Sequence, residues 1–152
     1  MEVDTILDNA ESFFYYAEVL AMRGWAYANL QKWFCYTPEQ IITQGYTLDD
    51  YMSVPVYTEE VTEADTIIGA PLSSAEDVYR RAESDLKDAI YYFDILENEG
   101  MVRTIKHEMN SDVARLTLAY LYLNKGDNEN AAKYAEEFIN NTTHTLLPYS
   151  QL

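Results

Sequence analysis

The residues in this sequence best suited to binding chemistry are its tyrosines, of which there are 14 among 152 residues. A tyrosine ring can stack on a sugar or a peptide, while its hydroxyl forms a hydrogen bond at the edge of the contact. Most of these tyrosines recur at helical spacing, which indicates helix packing. Tyr46, Tyr51 and Tyr57 instead fall in a stretch without helical periodicity, and Trp33 precedes that stretch. If the chain binds a sugar, these four side chains are the predicted stacking positions.

The sequence contains no combination of residues that would form a catalytic or metal-binding site. Its two histidines, His107 and His144, have no cysteine or carboxylate at the spacing of metal ligands. A single histidine cannot fill the several roles that an active site needs. The sequence also lacks a glycine-rich phosphate loop and a nucleophile elbow. We therefore expect a protein that is not an enzyme and that uses no cofactor.

An acidic run lies in the same non-helical stretch, at Glu59, Glu60, Glu63 and Asp65. Carboxylates at such short spacing can gather around a hard cation such as Ca²⁺. The run lacks the residue pattern and the glycine of a dedicated calcium loop. A solvated loop is therefore the preferred interpretation, and no metal site is predicted.

The overall charge excludes two classes of partner. The formal net charge is −16, from 26 acidic and 10 basic side chains. Such a surface repels nucleic-acid phosphates and anionic lipid headgroups, so we predict neither nucleic-acid binding nor electrostatic membrane binding. No apolar run reaches the roughly 18 residues of a membrane span. The sequence opens without the features of a secretory signal, which leaves a cytoplasmic protein or a sequence that begins after its export signal.

Cysteine chemistry is equally restricted. Cys35 is the single cysteine, so no internal disulfide can form. It follows Trp33 and Phe34 in an apolar stretch, where a buried and inert thiol is the preferred interpretation.

Helices must position all of these residues, because small and apolar side chains recur with the helical period over most of the chain. The pattern predicts helices over about 2–8, 10–36, 75–96, 111–125 and 128–140, with one long irregular loop over 37–73. The last two helices, joined at Gly126, have the small and aromatic residues of a tetratricopeptide-type hairpin. We therefore predict an all-α fold of tetratricopeptide-like antiparallel hairpins, forming a single domain over residues 1–152.

Local signals refine this prediction. A row of small residues, Ala17, Ala21, Gly24 and Ala28, should admit a neighbouring helix at short distance. Close packing would offset the roughly 1 kcal/mol that glycine costs in a helix interior. The Thr37-Pro38 pair is predicted to end this helix. Ser74 and Ser111 are predicted to cap the starts of the two helices that follow, and Glu83–Lys87 is a predicted i, i+4 ion pair.

Several segments, in order along the chain, resemble the SusD/RagB family. Residues 18–30 (EVLAMRGWAYANL) resemble its first conserved helix, and residues 54–58 (VPVYT) resemble the loop after it. Residues 75–90 resemble its next helix, residues 114–135 the helical pair that follows, and residues 145–149 (TLLPY) the short segment after that pair. Together these matches cover most of the chain.

The resemblance implies a non-catalytic, surface-exposed lipoprotein of the outer membrane of Bacteroidota that binds glycan or peptide nutrients. Its expected partners are an oligosaccharide and a TonB-dependent transporter, which the tetratricopeptide-like helices would contact as a scaffold. The chain is far shorter than a full family member and lacks both a lipid-anchor cysteine and a loop-rich second half. We therefore expect it to be the helical portion of a larger protein. A free-standing tetratricopeptide adaptor that binds a protein segment in its concave groove is the alternative.

Overall fold

A computed structural model describes residues 3–58, 69–101 and 109–141. Within these ranges the backbone forms six helices: α1 (Val3–Asp8), α2 (Ala10–Phe34), α3 (Pro38–Thr43), α4 (Ala75–Asn98), α5 (Ser111–Lys125) and α6 (Asn128–Asn141). The one β pairing in these ranges is an isolated antiparallel bridge between Met52 and Ser74. The predicted all-α fold is confirmed.

The helix ends follow the local chemistry of their residues. Ser74 accepts the Asp77 N–H at 3.1 Å and caps α4 as predicted. Asn110 rather than Ser111 caps α5, because its side-chain oxygen accepts the Val113 N–H at 2.9 Å. The Ser111 hydroxyl instead donates to the Glu97 carboxylate at 2.7 Å, which links the start of α5 to the end of α4.

The irregular stretch predicted over 37–73 contains the short helix α3. The Thr37 hydroxyl accepts the Gln40 N–H, and the Gln40 side chain accepts the Thr37 N–H, so the two residues form a capping box. Pro38 fits the first helical position, where no N–H is needed. Thr37-Pro38 therefore begins α3, whereas α2 has already ended at Phe34 rather than at residue 36.

The core lies where α2 packs along α4, with α5 against both α4 and α6. The row of small residues on α2 faces this contact: Ala17 and Ala21 are fully buried, and Gly24 is buried beside them. A β-carbon at Gly24 would lie 2.7 Å from Leu86 Cγ and 3.1 Å from the carbonyl oxygen of Ala82. The glycine is therefore what lets the two helices approach this closely.

Candidate functional site

Three tyrosines form an aromatic cluster between the end of α2 and the start of α4. The ring of Tyr51 lies 6.0 Å from the ring of Tyr36 and 6.0 Å from that of Tyr46, measured between centroids. These distances fall within the favourable range for aromatic pairs. Tyr36 and Tyr46 are about half exposed, at 49% and 52%. We refer to Tyr36, Tyr46 and Tyr51 as the tyrosine cluster.

The backbone around α3 places Tyr46 against Tyr51. Gly45 adopts a left-handed conformation, with φ of 87°, and its N–H donates to the Ile42 carbonyl. The N–H of Tyr46 donates to the Ile41 carbonyl at 3.2 Å, which completes a Schellman motif and reverses the chain. The carbonyl of Tyr51 accepts the Ala75 N–H at 2.8 Å. The cluster is therefore fixed at both the C-terminal end of α3 and the first residue of α4.

The Tyr51 hydroxyl remains protonated in its partly buried position. Burial raises its pKa above the ordinary value, and the neighbouring Cys35, Tyr36 and Tyr46 add to the rise. A neutral phenol can donate as well as accept a hydrogen bond. The cluster thus presents aromatic faces and uncharged hydroxyls.

The structure does not bring the other two predicted stacking residues into this cluster. Tyr57 is used within the fold: its N–H donates to the Tyr27 hydroxyl at 2.7 Å, and its own hydroxyl accepts the Ala70 N–H at 3.5 Å. Trp33 is 67% exposed near the end of α2 and makes no ring contact within the described part of the chain. Tyr36, which sequence reasoning assigned to the helix, takes a place in the cluster because α2 ends two residues before it.

A buried polar contact supports the loop that carries Tyr51. The Ser53 hydroxyl donates to Gln31 Oε1 at 2.6 Å, and both residues are almost fully buried. Burial raises the pKa of nearby Tyr79 to about 12; Cys35 adds to the rise and Gln31 opposes it. The Gln31 amide nitrogen nevertheless has no hydrogen-bond partner among the described residues. Cys35 itself is only half-buried, so the expectation of full burial is not met.

A second concave surface lies between α4 and α6. It is an open cavity of about 320 Å³, lined by Lys87, Ile90 and Tyr91 from α4 and by Tyr134 and Glu137 from α6. We call it the α4–α6 groove. Sequence reasoning missed it, since α4 and α6 were considered only for their packing faces.

Lys87, which lines this groove, is paired with a carboxylate of its own helix. Lys87 Nζ lies 2.6 Å from Glu83 Oε1 and 5.7 Å from the ring centre of Tyr122, whose hydroxyl donates to the same carboxylate at 2.8 Å. Burial alone would raise the pKa of Glu83, but the hydrogen bonds from Lys87 and Tyr122 outweigh it and hold that pKa below the ordinary value. The carboxylate and the ammonium therefore stay charged and paired at neutral pH.

The third surface is an apolar side of α2 that faces away from α4. Val19, Met22 and Trp25 lie three residues apart, so they share one side of the helix. Their exposed fractions are 58%, 58% and 47%. We call these three residues the α2 face. Large apolar side chains exposed in a contiguous row are typical of a contact surface.

No group of three histidines, cysteines or carboxylates that could hold a metal ion occurs within 3–58, 69–101 and 109–141. The acidic run at 59–65 and both histidines, His107 and His144, lie outside those ranges. No helix in the described part combines the length and the apolar character needed to cross a membrane.

Comparison with known proteins gives an informative likeness in fold. No family model and no curated protein matches the sequence. A SusD-like carbohydrate binding protein from Bacteroides vulgatus ATCC 8482 has a crystal structure that aligns with 98% of this chain, with a TM-score of 0.74 and 25% sequence identity. The chain spans 30% of the length of that protein.

Proposed function

We propose, from the likeness in fold to a SusD-like protein, that this chain is part of a carbohydrate-binding nutrient-uptake protein at the surface of the outer membrane. It binds without catalysis, and its helices form the scaffold that contacts a TonB-dependent transporter. The single observation that carries the proposal is the likeness in fold, over 98% of the chain, to a carbohydrate binding protein.

We assign sugar contact to the tyrosine cluster. Tyr36 and Tyr46 present about half of their surface to solvent, and Tyr51 is held between them by backbone hydrogen bonds. A pyranose ring presents C–H groups on one face, and these pack on an aromatic face while tyrosine hydroxyls bond the sugar hydroxyls. Since the cluster is fixed before the ligand arrives, little side-chain freedom is lost on binding.

Replacing Tyr46 with alanine should weaken binding of a glycan about tenfold, which corresponds to about 1.4 kcal/mol. The glycan is first identified by screening the wild-type chain on a glycan array, and its affinity is then measured by isothermal titration calorimetry. Tyr120→Ala is the matched control, because Tyr120 is similarly exposed, at 58%, but lies on α5 outside the cluster. Equal losses in both variants would remove the cluster from the proposal, and a wild-type chain that binds no glycan would leave only the scaffold role.

We assign transporter contact to the α2 face. Its side chains are apolar and exposed, and burying them against a partner contributes about 25 cal/mol for each Å² removed from water. A partner surface of apolar character fits it better than an acidic one, because the chain carries a net charge of −16. A transporter gene beside the gene for this chain would favour this partner, whereas its absence would favour a free-standing adaptor.

Changing Met22 to aspartate should reduce binding to the detergent-solubilised transporter by at least tenfold, because a charge would then be buried at the contact. Met22 is 58% exposed, so the melting temperature should stay within a degree or two of wild type. Binding is measured by biolayer interferometry with the immobilised chain, and Tyr120→Asp serves as the control on α5. Unchanged binding by the Met22→Asp variant would exclude the α2 face as the contact.

A further inference from the structure

The α4–α6 groove shares no residue with the tyrosine cluster or the α2 face, and it is open to solvent. Its volume, about 320 Å³, lies at the lower end of the range for ligand pockets. That size suits one or two sugar rings better than a long peptide. Its lining combines two aromatic rings with one ammonium and one carboxylate group.

The aromatic side chains of the groove are held in place by other aromatic rings. Tyr134 stacks on Tyr122 with ring centres 5.6 Å apart and planes 10° apart, and the Lys133 ammonium lies 5.0 Å from the centre of the Tyr134 ring. Tyr91 lies edge-on to Tyr92, with centres 5.3 Å apart and planes 69° apart, and it remains 49% exposed. Tyr91 therefore offers an exposed aromatic surface on the α4 side of the groove.

The charges of the lining cancel in pairs. Lys87 contacts Glu83 at 2.6 Å, and Glu137 lies 3.9 Å from Lys133 on the same helix. A ligand with a net charge would therefore gain little long-range attraction here, and an acidic one would meet the repulsion of the whole chain. The ammonium of Lys87 has three N–H donors and the carboxylate of Glu137 has several acceptor positions, so hydrogen bonding to hydroxyl groups remains open.

We propose that the α4–α6 groove is a second saccharide subsite, which takes a neutral sugar ring on the exposed ring of Tyr91 and bonds its hydroxyls through Lys87 and Glu137. This inference rests on the proposed carbohydrate-binding function and adds a site to it. The net negative charge of the chain disfavours acidic sugars in the groove, whereas neutral ones need no counter-ion. The two subsites together would contact separate parts of one long glycan or of two glycans.

The experiment labels isoleucine δ1-methyl groups with ¹³C, since Ile90 lines the groove and Ile42 lies on α3, whose C-terminal end positions Tyr46. The chain is titrated with cellotriose, maltotriose, mannotriose and trigalacturonate in separate samples. At least one neutral trisaccharide should shift the Ile90 signal saturably, and trigalacturonate should not shift it at the same concentration. Tyr91→Ala should raise the dissociation constant from the Ile90 signal at least tenfold and leave the Ile42 response unchanged.

Tyr46→Ala provides the matched control. It should weaken the Ile42 response and leave the dissociation constant from the Ile90 signal unchanged. A response at Ile42 without one at Ile90 would overturn the groove subsite and leave the proposed function standing. An equal response of Ile90 to trigalacturonate and to the neutral sugars would overturn the charge argument and with it the proposal. An Ile90 signal that no sugar shifts would also overturn the subsite. Binding on the glycan array tests the proposed function separately.

Discussion

Replacing Asp85 with alanine should lower the free energy of unfolding by about 3 kcal/mol, because it breaks an ion pair at the contact of α2 and α4. Asp85 is 2% exposed and accepts two hydrogen bonds from Arg23, at 2.7 Å from Nε and 2.9 Å from Nη2. Arg81 donates to the same carboxylate at 3.3 Å from its Nε. Without Asp85, two partly buried guanidinium groups would lose this shared acceptor.

The loss is measured by urea unfolding followed by circular dichroism. Asp88→Ala is the matched control on the same helix, since Asp88 is exposed and its replacement should change stability by no more than about 0.5 kcal/mol. The difference between the two variants should persist at high salt, because screening acts weakly on a buried pair. Similar values for both would show that the Asp85 contacts add nothing to the stability of the fold.

Replacing Gly24 with valine should destabilise the protein by about 3 kcal/mol, at the upper end of the range for overpacking. The first added carbon would already lie 2.7 Å from Leu86 Cγ and 3.1 Å from a backbone oxygen of α4, so the helices would have to separate. For a chain of this size the melting temperature should fall by about 10 °C.

Two variants separate the steric effect from helix propensity. Ala132→Val, at an exposed position of α6, measures the propensity of valine alone and should cost only about 0.5 kcal/mol. Leu86→Ala removes the atom nearest to the added side chain. The double variant Gly24→Val/Leu86→Ala should therefore lose less stability than the two single variants lose together. A Gly24→Val chain with the stability of wild type would contradict the close approach of α2 and α4.

Much of the helical scaffold could be predicted because its signals are local and periodic. The row of small residues on α2 could be recognised from spacing alone, as could the Glu83–Lys87 pair, which forms at 2.6 Å. The Ser74 cap could be recognised from its residue type. Helix α3 escaped prediction because six residues contain too few turns to establish a period, although its capping box is visible as Thr37 and Gln40.

Contacts between residues far apart in sequence could not be predicted from spacing. Arg23 and Asp85 are separated by 62 positions, and nothing in either segment identifies the other as its partner. Tyr46 and Tyr51 stood out because they lie where the helical pattern stops, but their meeting with Tyr36 depends on the turn that Gly45 makes after α3. Their role in binding stays a prediction.

The exposure of both tryptophans gives the protein built-in spectroscopic reporters. Trp25 and Trp33 are 47% and 67% exposed, and the sequence contains no other tryptophan. The native chain should therefore have its tryptophan emission maximum at long wavelength, as an unfolded chain does. The wavelength of this maximum is then a poor measure of unfolding. The same wavelength is a sensitive measure of docking, because the emission maximum of Trp25 should move to shorter wavelength when a partner covers the α2 face. A Trp33→Phe chain would isolate the Trp25 signal.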